Sequence, residues 1–84
     1  MAFVLVVKPE AQKRLDSLND QYRDRALRVM YGIKTDPFAG KKLHGKREGQ
    51  YTVYVWPYRF VYKIYKEEKL IVIVDFDHRG RVYR

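Results

Sequence analysis

Three runs of β-branched and aromatic residues, separated by short gaps, occupy positions 51–74. In the first two runs, 51–56 and 58–65, apolar side chains recur at every second position, so one face of each predicted strand is apolar. The third run, Leu70 to Val74, is apolar throughout, as expected of a strand that is covered on both faces. Because the gaps at Pro57 and at residues 66–69 are too short for crossover connections, the strands should pair as an antiparallel meander.

The first 36 residues predict a short strand and two amphipathic helices. Phe3–Val7 is the apolar strand, and Pro9 suits the first turn of a helix because its φ is already helical. Apolar positions recur at helical spacing in segments 11–18 and 22–33. We expect Asn19 to end the first helix, Asp20 to cap the second, and Pro37 to stop the second by disfavouring helical geometry at the residue before it.

Residues 38–50 predict a loop, because glycine recurs there at Gly40, Gly45 and Gly49 among basic residues. A basic, glycine-bearing loop either cradles phosphate or is a solvated connection, and composition favours neither. The predicted order is β-α-α-β-β-β, an α+β fold. In it, an N-terminal strand and a two-helix antiparallel hairpin pack on a twisted, mainly antiparallel β-sheet. Residues 1–84 should form a single domain, since a second core would not fit.

The chain has 84 residues and no cysteine, which excludes disulfides, a cysteine-based metal site and a thiol nucleophile. No apolar run approaches the ~18–20 residues of a membrane-spanning helix. We therefore expect a cytoplasmic protein with no membrane partner.

The chain is strongly basic, with 18 Lys and Arg against 10 Asp and Glu and a net charge of +8. Such an excess indicates a polyanionic or acidic partner, although a basic composition can also serve solubility alone. Clustering favours a partner, because segments 41–47 and 78–84 contain several cations and no acid. These cations are Lys41, Lys42, Lys46, Arg47, Arg79, Arg81 and Arg84.

Most enzyme constellations are absent from the sequence. There is no phosphate-binding glycine motif, and the two histidines, His44 and His78, are far apart. The only serine, Ser17, has no histidine near it in sequence, which argues against a serine triad. Asp75 and Asp77 are spaced to share one face of a strand. They either hold Mg²⁺ or, as such pairs more often do, neutralise nearby arginines.

Arginine, tyrosine and histidine side chains on and beside the sheet form a set suited to metal-free cleavage of RNA. In that reaction a ribose 2′-OH loses its proton and attacks the adjacent phosphate. The guanidinium groups of Arg59 and Arg79 would offset the charge that builds on the phosphate oxygens. His78 or Tyr83 could serve as the base or as the acid that protonates the leaving oxygen.

The same residues also have structural interpretations. Exposed Tyr54 or Trp56 could stack on bases, but aromatic residues in strands more often pack against cross-strand neighbours. Arg59 could simply pair with Asp75 or Asp77. The residues taken together indicate RNA chemistry more strongly than any one of them does.

Several spaced motifs follow one another along the chain. They are Pro37-Phe38-x-Gly40-Lys41-Lys42-Leu43-x-Gly45, Tyr51, Tyr58-Arg59-x-x-Tyr62, His78-Arg79 and Val82-Tyr83-Arg84. In this order, and over essentially the whole chain, they resemble the RelE/ParE superfamily of toxins from type II toxin–antitoxin systems. The RelE branch is the better match.

The resemblance implies a ribosome-dependent endoribonuclease that cuts messenger RNA, needs no metal or other cofactor, and is silenced by an antitoxin, which we expect to be acidic. By the match, Arg59 binds phosphate, Arg79 stabilises the transition state and Tyr83 is the C-terminal tyrosine of the active site. His78 is a catalytic candidate by looser analogy. Residues expected to bind RNA or the ribosome are Lys41, Lys42, Lys46, Arg47, Tyr54, Arg81 and Arg84.

Two positions depart from the best-known members, which carry lysines where this chain has Thr52 and Tyr54. Either the basic loop supplies the missing cations, or proton transfer falls to His78 and Tyr83, or the activity is weak or absent. The ParE branch shares the fold but inhibits DNA gyrase without the ribonuclease residues. A gyrase inhibitor and a basic RNA-binding module without catalysis are therefore the alternative functions.

Overall fold

The computed structural model describes residues 3–78, which form one mixed sheet and a helical hairpin. Two short 3₁₀ turns, Pro37–Ala39 and Gly45–Arg47, follow the hairpin and flank β2. In chain order the elements are β1 (Val4–Val7), α1 (Pro9–Asp16), α2 (Asp20–Thr35), β2 (Lys41–Lys42), β3 (Tyr51–Val55), β4 (Tyr58–Tyr65) and β5 (Leu70–His78). The predicted α+β class and the order of the main elements are confirmed.

The sheet has the strand order β1-β5-β4-β3-β2. The predicted meander is confirmed, because β3, β4 and β5 pair antiparallel in sequence. β1 joins the far side of β5 in parallel, with Val4 opposite Leu70. The β4–β5 ladder contains a bulge, since Val61 pairs with Asp75 whereas Tyr62 pairs with Ile73, so Val74 has no partner of its own.

The hydrophobic core lies between the helical hairpin and one face of the sheet, here called the inner face. Apolar residues at helical spacing, among them Ala11, Leu15, Ala26 and Ile33, are buried against the strands. The buried residues that the strands contribute to this core are Val55, Phe60, Tyr62, Ile71, Ile73 and Phe76. Within residues 3–78, no helix is long and apolar enough to cross a membrane.

Tyr62 ties the segment after α2 to the centre of the sheet. Its side chain is fully buried, and its hydroxyl donates a hydrogen bond of 2.8 Å to the Pro37 carbonyl. The ring stacks on Tyr51, with centroids 5.7 Å apart. Burial, followed by the proximity of Tyr51 and Asp36, raises the pKa of the Tyr62 phenol from its ordinary 10.0 to about 12. The phenol therefore stays protonated and keeps its donor at neutral pH.

Three details differ from the sequence predictions. Asn19, rather than Asp20, caps α2, because its side chain accepts a hydrogen bond from the Tyr22 amide at 3.2 Å. The predicted loop contains the edge strand β2, which pairs with the start of β3. β5 is not fully covered on both faces, because Ile71 and Ile73 are buried while Val72, on the opposite face between them, is only half-buried.

Candidate functional site

The face of the sheet opposite the helices, here called the outer face, carries Tyr54 and Arg59 and is contacted by Arg47. Strand pairing fixes which residues share this face, because directly paired residues point to the same side of a sheet. Tyr54 on β3 pairs with Arg59 on β4, which pairs with Asp77 on β5. The next row, two residues along each strand, is Thr52, Val61 and Asp75.

Arg59 lies on the central strand of the sheet, close to the β3–β4 turn, and forms an ion pair with Asp77. Its Nε donates to Asp77 Oδ1 at 3.3 Å, and the two side chains are 15% and 25% exposed. This contact uses one of the several N–H donors of the guanidinium group. The ion pair between Arg59 and an aspartate of β5, which the sequence suggested, therefore forms, and it holds Arg59 in place beside Tyr54.

Asp75 joins two further arginines from different parts of the chain. Arg14 of α1 donates to Asp75 Oδ1 at 2.7 Å, and Arg47 donates to Oδ2 at 3.3 Å. The Phe76 amide also donates to Oδ1, and Arg47 donates to Gln50 as well. The basic segment before β3 is thus fastened to the outer face. Both aspartates neutralise arginines, and in the described part of the chain no cluster of three His, Asp or Glu side chains could hold a metal ion.

The two positions that depart from the lysine pattern have different environments. Thr52 is 1% exposed, and its hydroxyl donates to the Phe60 carbonyl at 2.8 Å, so it offers no group to a ligand. Tyr54, two residues further along β3, is 43% exposed. Trp56 lies in the turn that follows and is also exposed. Of the two departing positions, only Tyr54 presents its side chain to a ligand on the outer face.

His78 points to the inner side of the sheet, away from Arg59. It pairs with Tyr58, and the two rings meet edge-on with centroids 5.1 Å apart. His78 Nδ1 is buried and has no hydrogen-bond partner among the described residues. The ring lines a groove of about 790 Å³ beside the α1–α2 turn, together with Tyr22 and Phe76. The bulge causes this placement, because one extra residue on β5 reverses the side to which Asp75, Asp77 and His78 point.

The predicted basic segment is exposed along one edge of the sheet. Lys41 and Lys42 form the short strand β2, Lys46 lies in the following 3₁₀ turn, and all three are exposed. Arg47 alone among these cations contacts the centre of the outer face. The remaining predicted site residues lie outside the described residues. They are Arg79, Arg81, Tyr83 and Arg84.

A family model for the ParE toxin of type II toxin–antitoxin systems matches residues 5–83. The chain belongs to this family. It is therefore a toxin of a toxin–antitoxin system, and the membership of the RelE/ParE superfamily predicted from the sequence motifs is confirmed. No curated protein sequence matches the toxin.

Solved structures show the same fold. A RelBE toxin–antitoxin complex from Mycobacterium tuberculosis aligns with a TM-score of 0.84 and 22% identity, covering 94% of this chain and 100% of that one. The archaeal RelE–RelB complex from Pyrococcus horikoshii aligns with a TM-score of 0.81 and 24% identity, covering 98% of this chain and 100% of that one. A YoeB/ParE toxin from Agrobacterium tumefaciens aligns with a TM-score of 0.79 and 17% identity, covering 90% of this chain and 98% of that one. At these identities the likeness shows the fold alone.

One cation on the outer face of the toxin was not among the predicted site residues. Lys63 follows Arg59 and Val61 on the same side of β4 and is half-buried. No ion pair of Lys63 occurs within residues 3–78. The period-two pattern of β4 already placed Lys63 on the side of Arg59, so the sequence contained the signal that identifies it.

Proposed function

We propose that this toxin cleaves messenger RNA bound to the ribosome, and so inhibits translation. The observation that carries the proposal is the position of Arg59 on the outer face, directly beside the exposed Tyr54. A guanidinium group binds phosphate, and an adjacent aromatic ring stacks on a base, so the pair suits one nucleotide of a single strand. The net charge of +8 supports a polyanionic target.

The proposed reaction is attack of a ribose 2′-OH on the adjacent phosphorus. A base takes the hydroxyl proton, the new P–O bond forms, the P–O5′ bond breaks, and an acid protonates the leaving O5′. The products are a 2′,3′-cyclic phosphate and a 5′-hydroxyl end. We assign phosphate binding to Arg59 and transition-state stabilisation to Arg79.

Proton transfer is assigned to the C-terminal part of the chain. Thr52 is buried and hydrogen-bonded, so it supplies neither base nor acid. His78 lies on the other side of the sheet from Arg59. Tyr83 is therefore the first candidate for proton transfer and His78 the second. The remaining cations and Tyr54 are proposed to bind RNA or the ribosome: Lys41, Lys42, Lys46, Arg47, Arg81 and Arg84.

Inhibition of DNA gyrase is the second candidate function. Position 52 favours it, because this chain has a buried threonine there and so no lysine to handle the 2′-OH. The matching family model is also that of ParE toxins. This function would need a protein-binding surface in place of a reaction centre. The two functions make opposite predictions about RNA cleavage.

We also propose an acidic antitoxin as the partner and the cytoplasm as the location. The similar structures from Mycobacterium tuberculosis and Pyrococcus horikoshii are toxin–antitoxin and RelE–RelB complexes, which supports a protein partner of that kind. An acidic segment would complement the basic edge formed by Lys41, Lys42 and Lys46.

Primer extension on messenger RNA, with and without programmed ribosomes, tests the proposed function. The native toxin should produce cuts only when ribosomes are present, and Arg79→Ala and Arg59→Ala should remove them. Arg28→Ala is the matched control, because it removes the same charge from an exposed position on α2. Intact RNA from a toxin that still stops growth would refute cleavage, and a gyrase supercoiling assay would then test the second function. Binding without cuts would indicate an RNA-binding module.

A further inference from the structure

Two arginines on the outer face are each held by an aspartate of β5, and the two aspartates are two residues apart. Arg59 is held by Asp77, and Arg47 is held by Asp75. We propose that Asp75 and Asp77 are internal counter-anions, which two consecutive phosphates of an RNA strand displace when the strand binds to Arg47 and Arg59. This inference rests on the proposed function, because it requires a nucleic-acid target.

The spacing of the two pairs suits a strand of linked phosphates. Asp75 and Asp77 project to the same side of β5, so they lie about 6.6 Å apart along the strand. Their arginine partners come from separate elements, Arg59 from β4 and Arg47 from the segment before β3. The two arginines therefore reach neighbouring carboxylates of one strand from different parts of the chain. Each faces a carboxylate, whose planar pair of oxygens resembles the oxygens of a phosphate.

The geometry of these pairs favours exchange. Both contacts are 3.3 Å long, which exceeds the ~2.7–2.9 Å of a strong charge-assisted hydrogen bond. Asp75 keeps the shorter contact of 2.7 Å to Arg14 and the bond from the Phe76 amide when Arg47 leaves. Asp77 is 25% exposed, so water can solvate it after Arg59 turns to a phosphate. Neither carboxylate would be left buried without a partner.

The two aspartates also change what the outer face attracts. Without them, Arg47, Arg59 and Lys63 would form an uncompensated cationic surface on a protein that already carries +8. With them, part of this local charge is cancelled, and the surface binds strongly only an anion that replaces both carboxylates. A strand with two correctly spaced phosphates meets that condition better than an isolated anion does.

Asparagine substitutions distinguish this role from a purely structural one. If the aspartates compete with RNA, then Asp77→Asn should tighten RNA binding by about two- to fivefold, the range of a partly exposed ion pair. The gain should disappear in the Arg59→Ala background, because the competing arginine is absent there. Asp75→Asn should behave in the same way with Arg47→Ala. A double-mutant cycle measures this dependence.

The assay is fluorescence anisotropy with a labelled 2′-O-methyl oligouridylate, which lacks the attacking hydroxyl and so remains uncut. Glu67→Gln in the exposed turn after β4 is the matched control, because it removes one negative charge far from both pairs. Circular dichroism checks that every variant is folded. A gain confined to the aspartate variants, and lost with the paired arginine, is the expected result.

Two other results would overturn the inference in distinguishable ways. If Asp77→Asn and Glu67→Gln tighten binding equally, or if the gain survives in Arg59→Ala, the aspartates act only through net charge. The proposed function would then stand while this inference falls. If the native toxin does not bind the oligonucleotide even at low salt, this inference falls, whereas the proposed function, which requires ribosomes, is still decided by the primer-extension assay.

Discussion

Removal of the Tyr62 hydroxyl should lower the free energy of unfolding at neutral pH and should also remove an alkaline transition. The hydroxyl is fully buried and donates to the Pro37 carbonyl at 2.8 Å. In Tyr62→Phe that buried carbonyl loses its donor, which should cost about 1–2 kcal/mol. For a domain of this size, the melting temperature should fall by about 4–8 °C for each kcal/mol.

The pH dependence of the stability difference between the native protein and Tyr62→Phe provides a second, independent measurement. The pKa of Tyr62 is raised from 10.0 to about 12 in the folded protein. Below pH 10 the phenol is neutral in both states, so its full contribution to stability is present. As the pH rises from 10 toward 12, the phenol of the unfolded chain ionises while the buried one keeps its proton, and stability is lost. By pH 11 the loss should reach about 1.4 kcal/mol.

Urea denaturation of the native protein and of Tyr62→Phe, repeated between pH 8 and pH 11, measures both effects. Phenylalanine cannot ionise, so the variant should be less stable at pH 8 and about as stable as the native protein near pH 11. The other tyrosines are common to both proteins and cancel in the difference. Tyr31→Phe, at a position that is 72% exposed, should change stability by less than about 0.5 kcal/mol. A stability difference that stays constant over this pH range would refute the argument.

Three further predictions about stability can be checked by the same urea denaturation. Gly40→Ala should destabilise the protein by about 1–3 kcal/mol, because the new Cβ would collide with the Tyr62 hydroxyl. An unchanged denaturation midpoint would show that the segment around Gly40 shifts freely. Gly32→Ala should stabilise it by about 0.5–1 kcal/mol, since a Cβ there meets no atom within 4 Å and the site is helical; a loss would contradict this. Asn19→Ala should cost about 1 kcal/mol by removing the α2 cap, whereas the neighbouring Asp20→Ala should cost less.

The parts of the fold that follow from local sequence were predictable. Alternation and short turns define the meander, and helical spacing ending at Pro37 defines the hairpin. The short strand β2 was missed because it consists of two lysines, which have low strand propensity, and depends on pairing with Tyr51 and Thr52. The cap of α2 was placed one residue late, because Asn19 and Asp20 are both good cap residues.

The candidate site was less predictable because a single bulge controls it. Uninterrupted alternation from Ile73 would point Asp75 and Asp77 into the core and His78 outward. The extra residue at Val74 reverses this, so the aspartates meet arginines on the outer face. Bulges have no reliable signature in one sequence. The residue types of the site could be read from the chain, but the face on which each lies required the structure.

The parallel pairing of β1 with β5 has a consequence for the synthesis of the toxin. Val4 pairs with Leu70, which is made 66 residues later. Because β5 lies between β1 and β4, both of these strands lack a neighbour until β5 has emerged. Closing so long a loop is slow and cannot begin early. A nascent chain therefore cannot complete its core until β5 has been translated, even though β1 and both helices are made well before it.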